Sequence, residues 1–355
     1  MKALVLSGGT GTRLRPFSYS MPKQLIPIAN KPVLEHVLDN IRAIGVTEVG
    51  IIVGEREPEI RAVLGDGADL GLHLTYLRQD APRGLAHCVQ VARDFLGDDD
   101  FVMYLGDNML PQGVAEAAER FRRVRPAAQV VVQRVADPRA FGVAEVGPEG
   151  RVERLVEKPE EPRTDLALIG VYFFTPAIHE ATDAIGPSGR GELEITDAVQ
   201  WLVARGADVR AEEYTGYWKD TGRVEDVLEC NRELLDHLVR SVEGTVDEES
   251  VLIGPVVVAP GARIVRSFIE GPAIVGADSL VADSRIGPHT AIGRDVRLRG
   301  THIDYSIALD GASVSGVHAV HGSVIGRSAA VSSGDNGIRK HRLVVGDHTE
   351  IEVAA

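Results

Sequence analysis

The chain is poor in cysteine, in aromatic residues and in positive charge. Its 355 residues include two cysteines, Cys88 and Cys230, too few for a disulfide framework, so the sequence reads as a reduced, cytoplasmic protein. Aromatics make up 5%, and 38 Lys and Arg face 52 Asp and Glu, a formal charge of −14. Sequence-independent binding to a nucleic-acid backbone needs a basic surface and is not expected. A local basic pocket for a small anion is compatible with that balance. No apolar run approaches the roughly 18 residues of a membrane span, and no signal peptide precedes the first strand-like segment, so no membrane partner is expected. No His or Cys group has zinc spacing, and no Gly-x-Ser-x-Gly nucleophile elbow occurs. What is there, 44% hydrophobic and 25% charged residues, describes a folded chain long enough for two cores.

Those two cores have different rhythms. Up to about residue 240, short apolar runs alternate with amphipathic segments of helical length. Ala3-Leu4-Val5-Leu6 predicts a buried strand, residues 32–44 a helix, and 48–53, 74–77, 101–105, 129–134 and 167–174 further strands, with a helix over 84–95. This order predicts an α/β domain with a mixed, mainly parallel sheet, whose ligand crevice lies at the carboxyl ends of the strands. From Ser250 onward, β-branched residues recur every five or six positions. Three such steps make a turn of about seventeen residues, read from Ile253 through Ile269 and Ile286 to Ile303. Short flat strands and tight corners predict a three-sided parallel β-helix, with a β-sandwich as the alternative. Residues 328–340 read as a loop interrupting the coils.

Chemistry is concentrated in the first part. Ser7-Gly8-Gly9-Thr10-Gly11-Thr12-Arg13 follows the first strand, where glycine-rich backbone can approach an anion closely. It matches neither the dinucleotide fingerprint nor Walker A, because Leu14 occupies the third glycine position and no Gly-Lys-Ser/Thr follows. Arg13 could grip phosphate oxygens in bidentate fashion and Lys23 act as a point charge, with Arg15 the weakest candidate. Asp107 ends a strand and Asp220 sits in a turn; together they could share Mg²⁺, or Asp220 could simply cap the helix beginning near Val224. Glu157-Lys158-Pro159 could present a charged pair to a polar ligand or be an ordinary surface turn. Gly84-Leu85-Ala86, after Gln79, could admit a flat base. His87 could reach the crevice or face solvent, and Cys88 reads as buried. Kinase, phosphatase and nucleotidyltransferase all remain open on these grounds.

The run Leu6 to Leu14 with Pro22-Lys23-Gln24-Leu25-Ile26-Pro27 resembles the sugar-1-phosphate nucleotidylyltransferases. So do Gly106-Asp107-Asn108, Glu157-Lys158-Pro159, Gly191-Glu192-Leu193-Glu194-Ile195-Thr196-Asp197 and Trp218-Lys219-Asp220-Thr221-Gly222, in that order. The resemblance implies a Rossmann-like catalytic domain over 1–240 and, in the family's long form, a left-handed parallel β-helix over 245–355. It implies Mg²⁺-dependent transfer from dTTP to glucose 1-phosphate, giving dTDP-glucose and pyrophosphate, with UTP or another nucleotide and another sugar or cyclitol phosphate as rivals. In this reading Gly8, Gly9, Thr10, Gly11, Thr12 and Arg13 bind the nucleotide phosphates, Lys23 the reacting phosphate, and Gln79 and Gly84 the base. Asp107 and Asp220 hold Mg²⁺; Asn108, Gly142, Glu157, Lys158, Tyr172, Glu192 and Trp218 line the sugar-phosphate site. The long form resembles proteins supplying activated hexoses for deoxysugars in actinobacterial secondary metabolism, including antibiotics. Homo-oligomerisation is expected from the family. Acyl transfer with His318 or His321 as base, or a silent scaffold, are the alternatives from other classes.

Overall fold

The computed structural model describes residues 1–9, 11–334 and 343–354. By contact the chain divides into two compact units that do not follow its order. One comprises Met1–Gly9 and Leu34–Asp220, the other Thr10–Val33 and Thr221–Ala355. This partition differs from a boundary at 240–245 because the helix Val224–Leu235 packs against the strands Pro27–Ile28 and Thr290–Ile292 of the second unit.

The first unit is built on a nine-stranded sheet. Its parallel half runs Phe101–Leu105, Lys2–Leu6, Glu48–Val53, His73–Arg78. Ala3, Leu4 and Val5 are wholly buried, as a strand paired on both edges and covered on both faces must be. The other half departs from the mainly parallel expectation. Leu166–Phe174, buried along all nine residues, runs antiparallel to Phe101–Leu105, Ala128–Arg134 and Gly142–Val146. Gly142–Val146 in turn forms a hairpin with Val152–Glu157. A return strand this apolar gains most by entering the sheet centre, since each fully buried large side chain is worth about 1.5–3 kcal/mol. The register slips between Leu168 and Tyr172, around Gly170 at φ 78°, a bulge that re-aims the strand beneath Asn108.

In the second unit, short strands pair in parallel with the strand three further along: Val256–Val258 with Ala273–Val275, Arg263–Val265 with Leu280–Ala282, Phe268–Glu270 with Arg285–Ile286. Among the described residues, three sheets of seven, seven and five strands result, not the antiparallel pairs of a sandwich. Ile269, Ile286, Ile303 and Val320 form one buried column, and Ile264, Val281, Leu298, Val314 and Val331 another. The first step of the predicted column is one residue out: Leu252 pairs with Ile269, whereas Ile253 pairs with Glu270 and is 50% exposed. The coils also run further than expected, because Ala330–Gly334 is a strand in register with Ser313–Ser315. The rest of the predicted interruption, 335–340, lies outside the described residues.

A polar ladder accompanies the apolar columns. Ser250, Ser267 and Ser284 accept, through Oγ, from the backbone N–H of Ser267, Ser284 and Thr301 at 3.0, 3.1 and 3.1 Å, each donor 17 residues on. The same unit holds the segment Thr10–Val33. Pro27–Ile28 and Lys31–Pro32 form a hairpin whose two turn residues, Ala29 and Asn30, both have positive φ. Buried Asn231 accepts from Ala29 N–H at 2.9 Å and donates through Nδ2 to His289 O at 3.1 Å, while Asn30 Nδ2 donates to Ile292 O at 2.7 Å. Among the described residues, no helix is long and apolar enough to cross a membrane.

Candidate active site

Carboxyl ends of the parallel strands bring the first group together. Leu6 and Leu105 are in register, and Gly106 N–H donates to Leu6 O at 2.9 Å, so the turns Ser7–Gly9 and Gly106–Asn108 emerge side by side. Gln79 follows the strand His73–Arg78 and is nearly buried; a Cβ placed on Gly8 would lie 3.4 Å from its Oε1. Gln79 Nε2 lies 3.5 Å from Gly84 O and 3.0 Å from His87 Nδ1. Gly84, at φ 103°, lies against Leu193, whose carbonyl a Cβ would approach to 2.3 Å. The base-site candidates Gln79 and Gly84 are thereby assembled with Gly8, and the helix Leu85–Val91 starts directly after Gly84. Burial pushes the Cys88 thiol up to about 12, with a hydrogen bond from Gln79 opposing it, so it stays a protonated packing group as expected.

Asp220 does not cap a helix. The helix begins at Val224 with Arg223 at its cap position. Instead Lys219–Asp220 pairs antiparallel with Asn108–Met109, with Asp220 opposite Asn108. Asp220 Oδ1 is buried there. Asn108 is fixed at both ends of its amide: Nδ2 donates to Asp107 Oδ1 at 2.9 Å, and Oδ1 accepts from Trp218 Nε1 at 2.7 Å. A segment one hundred residues downstream is thus laced to the Gly106-Asp107-Asn108 turn: Asp220 lies in this small sheet, and Asp107 immediately precedes its other strand. Among the described residues no group of three or more His, Cys, Asp and Glu could hold a metal. Two carboxylates without a closed cage suit Mg²⁺, which takes one or two protein carboxylates and completes its shell with water and phosphate oxygens.

The sugar-site candidates converge around Glu157. Gly142 pairs with Glu157 across the hairpin, and a Cβ there would lie 3.2 Å from Glu157 Oε2 and 3.3 Å from Thr196 Cγ2. Lys158 N–H donates to Phe141 O at 3.0 Å, and the Phe141 ring meets Trp218 edge-on at 5.2 Å, which joins this cluster to Asn108. Lys158 Nζ is 3.6 Å from Glu157 Oε1. Tyr172 is buried; burial first, and the Glu157 charge second, push its phenol well above the ordinary range, so it remains a neutral hydroxyl.

Sequence reasoning missed the residue that organises the cluster. Arg190 donates through Nη2 to Glu194 Oε1 and Oε2 at 2.8 and 2.9 Å, and reaches Glu157 Oε1 at 3.3 Å and Glu192 Oε2 at 3.5 Å. Thr196 Oγ1 donates to Glu157 Oε2. The signal available was an arginine immediately before a stretch with two glutamates, which alone reads as surface charge.

Gly11, Thr12, Arg13 and Lys23 lie in the other compact unit, and Thr10 lies outside the described residues. Thr12–Leu14 is a short 3₁₀ turn that leaves Arg13 exposed. A Cβ on Gly11 would come within 3.0 Å of Lys23 Cβ, so the half-buried Lys23 stem runs against the glycine turn. Arg15 stacks over Tyr19 at 4.8 Å, a local role that accounts for it. In the C-terminal coils, exposed His321 pairs with Asp304 and stacks on Tyr305 at 5.7 Å; His318 is exposed as well. His341 lies outside the described residues.

Known proteins extend this picture. The chain is 52% identical over 354 residues to the glucose-1-phosphate thymidylyltransferase of Streptomyces antibioticus, covering 99% of each, and 51% identical to that of Streptomyces griseus, covering all of both. A Bacillus anthracis chain described as a glucose-1-phosphate thymidylyltransferase, solved with a sucrose, superposes with TM-score 0.61 at 33% identity, covering 65% of this chain and 94% of that one. A UDP-glucose pyrophosphorylase solved with UDP-glucose shares the fold at TM-score 0.60 and 24% identity, covering 66% of this chain and 98% of that one. The family model for nucleotidyl transferases matches residues 2–237, so this chain belongs to the nucleotidyl transferase family.

Proposed function

We propose that the chain transfers a thymidylyl group from dTTP to glucose 1-phosphate, giving dTDP-glucose and pyrophosphate. The observation that carries this reading is the pairing of Asp220 with Asn108, which builds a two-carboxylate platform beside the glycine turn and ties it to the Glu157 cluster. End-to-end likeness to two thymidylyltransferases supports dTTP over UTP as donor and glucose 1-phosphate over other sugar phosphates. Asp107 and Asp220 would hold Mg²⁺, which when bound supplies charge neutralisation on the triphosphate. Gly8, Gly9, Thr10, Gly11 and Thr12 bind phosphate oxygens through backbone, Arg13 stabilises the departing pyrophosphate, and Lys23 neutralises the reacting phosphate. Gln79 and Gly84 read the base. Asn108, Gly142, Glu157, Tyr172, Glu192 and Trp218 orient the hexose, and Lys158 its phosphate.

The sugar-phosphate oxygen attacks the α-phosphorus in line as the bond to the bridging oxygen breaks. A phosphate monoester is already ionised near neutral pH, so no general base is needed. Positioning and charge neutralisation by these residues carry the rate. The C-terminal sheets constitute a left-handed parallel β-helix that serves assembly into a homo-oligomer, with the functional domains falling at 1–240 and 245–355, and the protein acts in the cytoplasm. The test is a substrate matrix of glucose 1-phosphate with dTTP, UTP, ATP, GTP or CTP, following both pyrophosphate and nucleotide sugar. Preferred formation of dTDP-glucose is expected. Preference for another nucleotide overturns the base assignment, silence with glucose 1-phosphate overturns the sugar assignment, and silence across a wider panel of sugar phosphates overturns nucleotidyl transfer. The His321–Asp304 pair gives acyl transfer its one structural argument; turnover of acetyl-CoA tests it.

A further inference from the structure

The amide of Gln79 can face either way, and the two ways present opposite chemistry. With Nε2 turned towards Gly84 O and His87 Nδ1, at 3.5 and 3.0 Å, its oxygen is on the Gly8 side. The Gly84 contact is at the limit of hydrogen-bond length and the Cys88 thiol is a weak partner, so the nearer imidazole nitrogen decides the orientation. That partner accepts only while the ring is neutral with its proton on Nε2; a protonated imidazole donates from both nitrogens. We propose that His87 is the positioning residue for nucleotide selectivity: its Nδ1 lone pair holds the Gln79 amide with Oε1 towards the base, where it accepts from the imide N–H that lies between two carbonyls in thymine and uracil and is absent from cytosine.

This inference rests on the base-site reading of Gln79. Protonating His87 removes the acceptor, frees the amide to turn, and sets Nε2–H against the imide N–H. The charged groups bearing on the ring are Arg83 and Asp80, themselves paired at 2.6 Å; Arg83 opposes protonation and Asp80 favours it. Burial, the larger influence, and Arg83 hold the ring's pKa below the usual histidine range. Selectivity is therefore intact at neutral pH and fails on the acid side.

The experiment measures kcat and KM for dTTP and CTP with glucose 1-phosphate from pH 5.5 to 8.5 in the wild type, His87→Ala, His87→Asn and Gln79→Ala. Asn places Oδ1, an acceptor that does not titrate, near the position of Nδ1. At neutral pH His87→Ala should lower the dTTP:CTP ratio of kcat/KM by about three- to tenfold, the worth of one hydrogen bond, through KM for dTTP rather than kcat. His87→Asn should keep the neutral-pH ratio and lose the acid-side decline shown by the wild type. If Gln79→Ala lowers the ratio while both His87 variants follow the wild type at every pH, the positioning role of His87 is overturned. If Gln79→Ala leaves the ratio unchanged, the base-site reading falls, and this inference with it.

Discussion

Arg190 shows how one side chain can set both the chemistry and the cost of a site. Its guanidinium gathers three glutamates, of which Glu194 is almost fully buried. Removing it leaves Glu194 without its cation and releases Glu157 from one of two flanking positive groups. Arg190→Ala should therefore raise KM for glucose 1-phosphate about tenfold or more, with a smaller effect on KM for nucleotide, as initial-rate kinetics with each substrate varied would show. The same crowding acts on Asp197, whose carboxyl is pushed up by burial first and then by Glu194 and Glu157, with Arg190 opposing. The native state holds this proton more tightly than the unfolded chain does. Stability is thus lost as pH rises from the ordinary carboxylate value to the raised native one, and the penalty is complete above it. Asp197→Asn should raise Tm at pH 7, with the gain vanishing towards pH 4. At this scale the sequence motifs named residues that the fold brings near one another, Asn108, Glu157, Tyr172 and Trp218. Arg190 and Thr196 were not legible, because their meaning depends on Glu157, more than thirty residues earlier.

Among the elements, the C-terminal strands were the most readable in period and the least in phase. Buried columns repeat as expected, yet Ile253 points outward because the first coil has Leu252 in line with Ile269. An apolar residue at a coil's start looks the same in sequence whichever way it faces. The serine ladder was not foreseen, although Ser250, Ser267, Ser284 and Thr301 stand at the same interval. The hydroxyls of Ser250, Ser267 and Ser284 each satisfy a backbone donor at the turn of the coil, and Thr301 supplies the last of those donors. Ser284→Ala should cost about 1–3 kcal/mol by leaving the buried Thr301 N–H without its acceptor. Hydrogen exchange at the Thr301 amide should accelerate while distant amides of the first unit keep their protection. The half-parallel sheet was harder to read: alternation of strands and helices signals parallel pairing, whereas the hairpin Gly142–Val146 with Val152–Glu157 carries a mixture of polar and apolar residues that resembles loop.

For the molecule as a whole, the division into units was hidden from the sequence because the partners of Thr10–Val33 come from beyond Thr221. Asn231 is the clearest staple, using both ends of its amide on backbone groups of the early segment and the coils. Asn231→Ala leaves two part-buried backbone groups without their partner, and should lower the stability of the second unit by about 1–3 kcal/mol and reduce kcat, seen as a drop in thermal midpoint beside slower turnover. Rescue by dTTP in the thermal scan would mark the loss as one of order in the Arg13–Lys23 segment.

That discontinuity also orders events in time. A ribosome delivers Thr10–Val33 early, but the seat it occupies, formed by Asn231 and the carbonyls of His289 and Ile292, leaves the tunnel only near the end of synthesis. Arg13 and Lys23 are therefore among the first residues made and among the last to be locked in place. A chain that ends before His289 and Ile292 carries this early segment without the groups that anchor it in the complete fold.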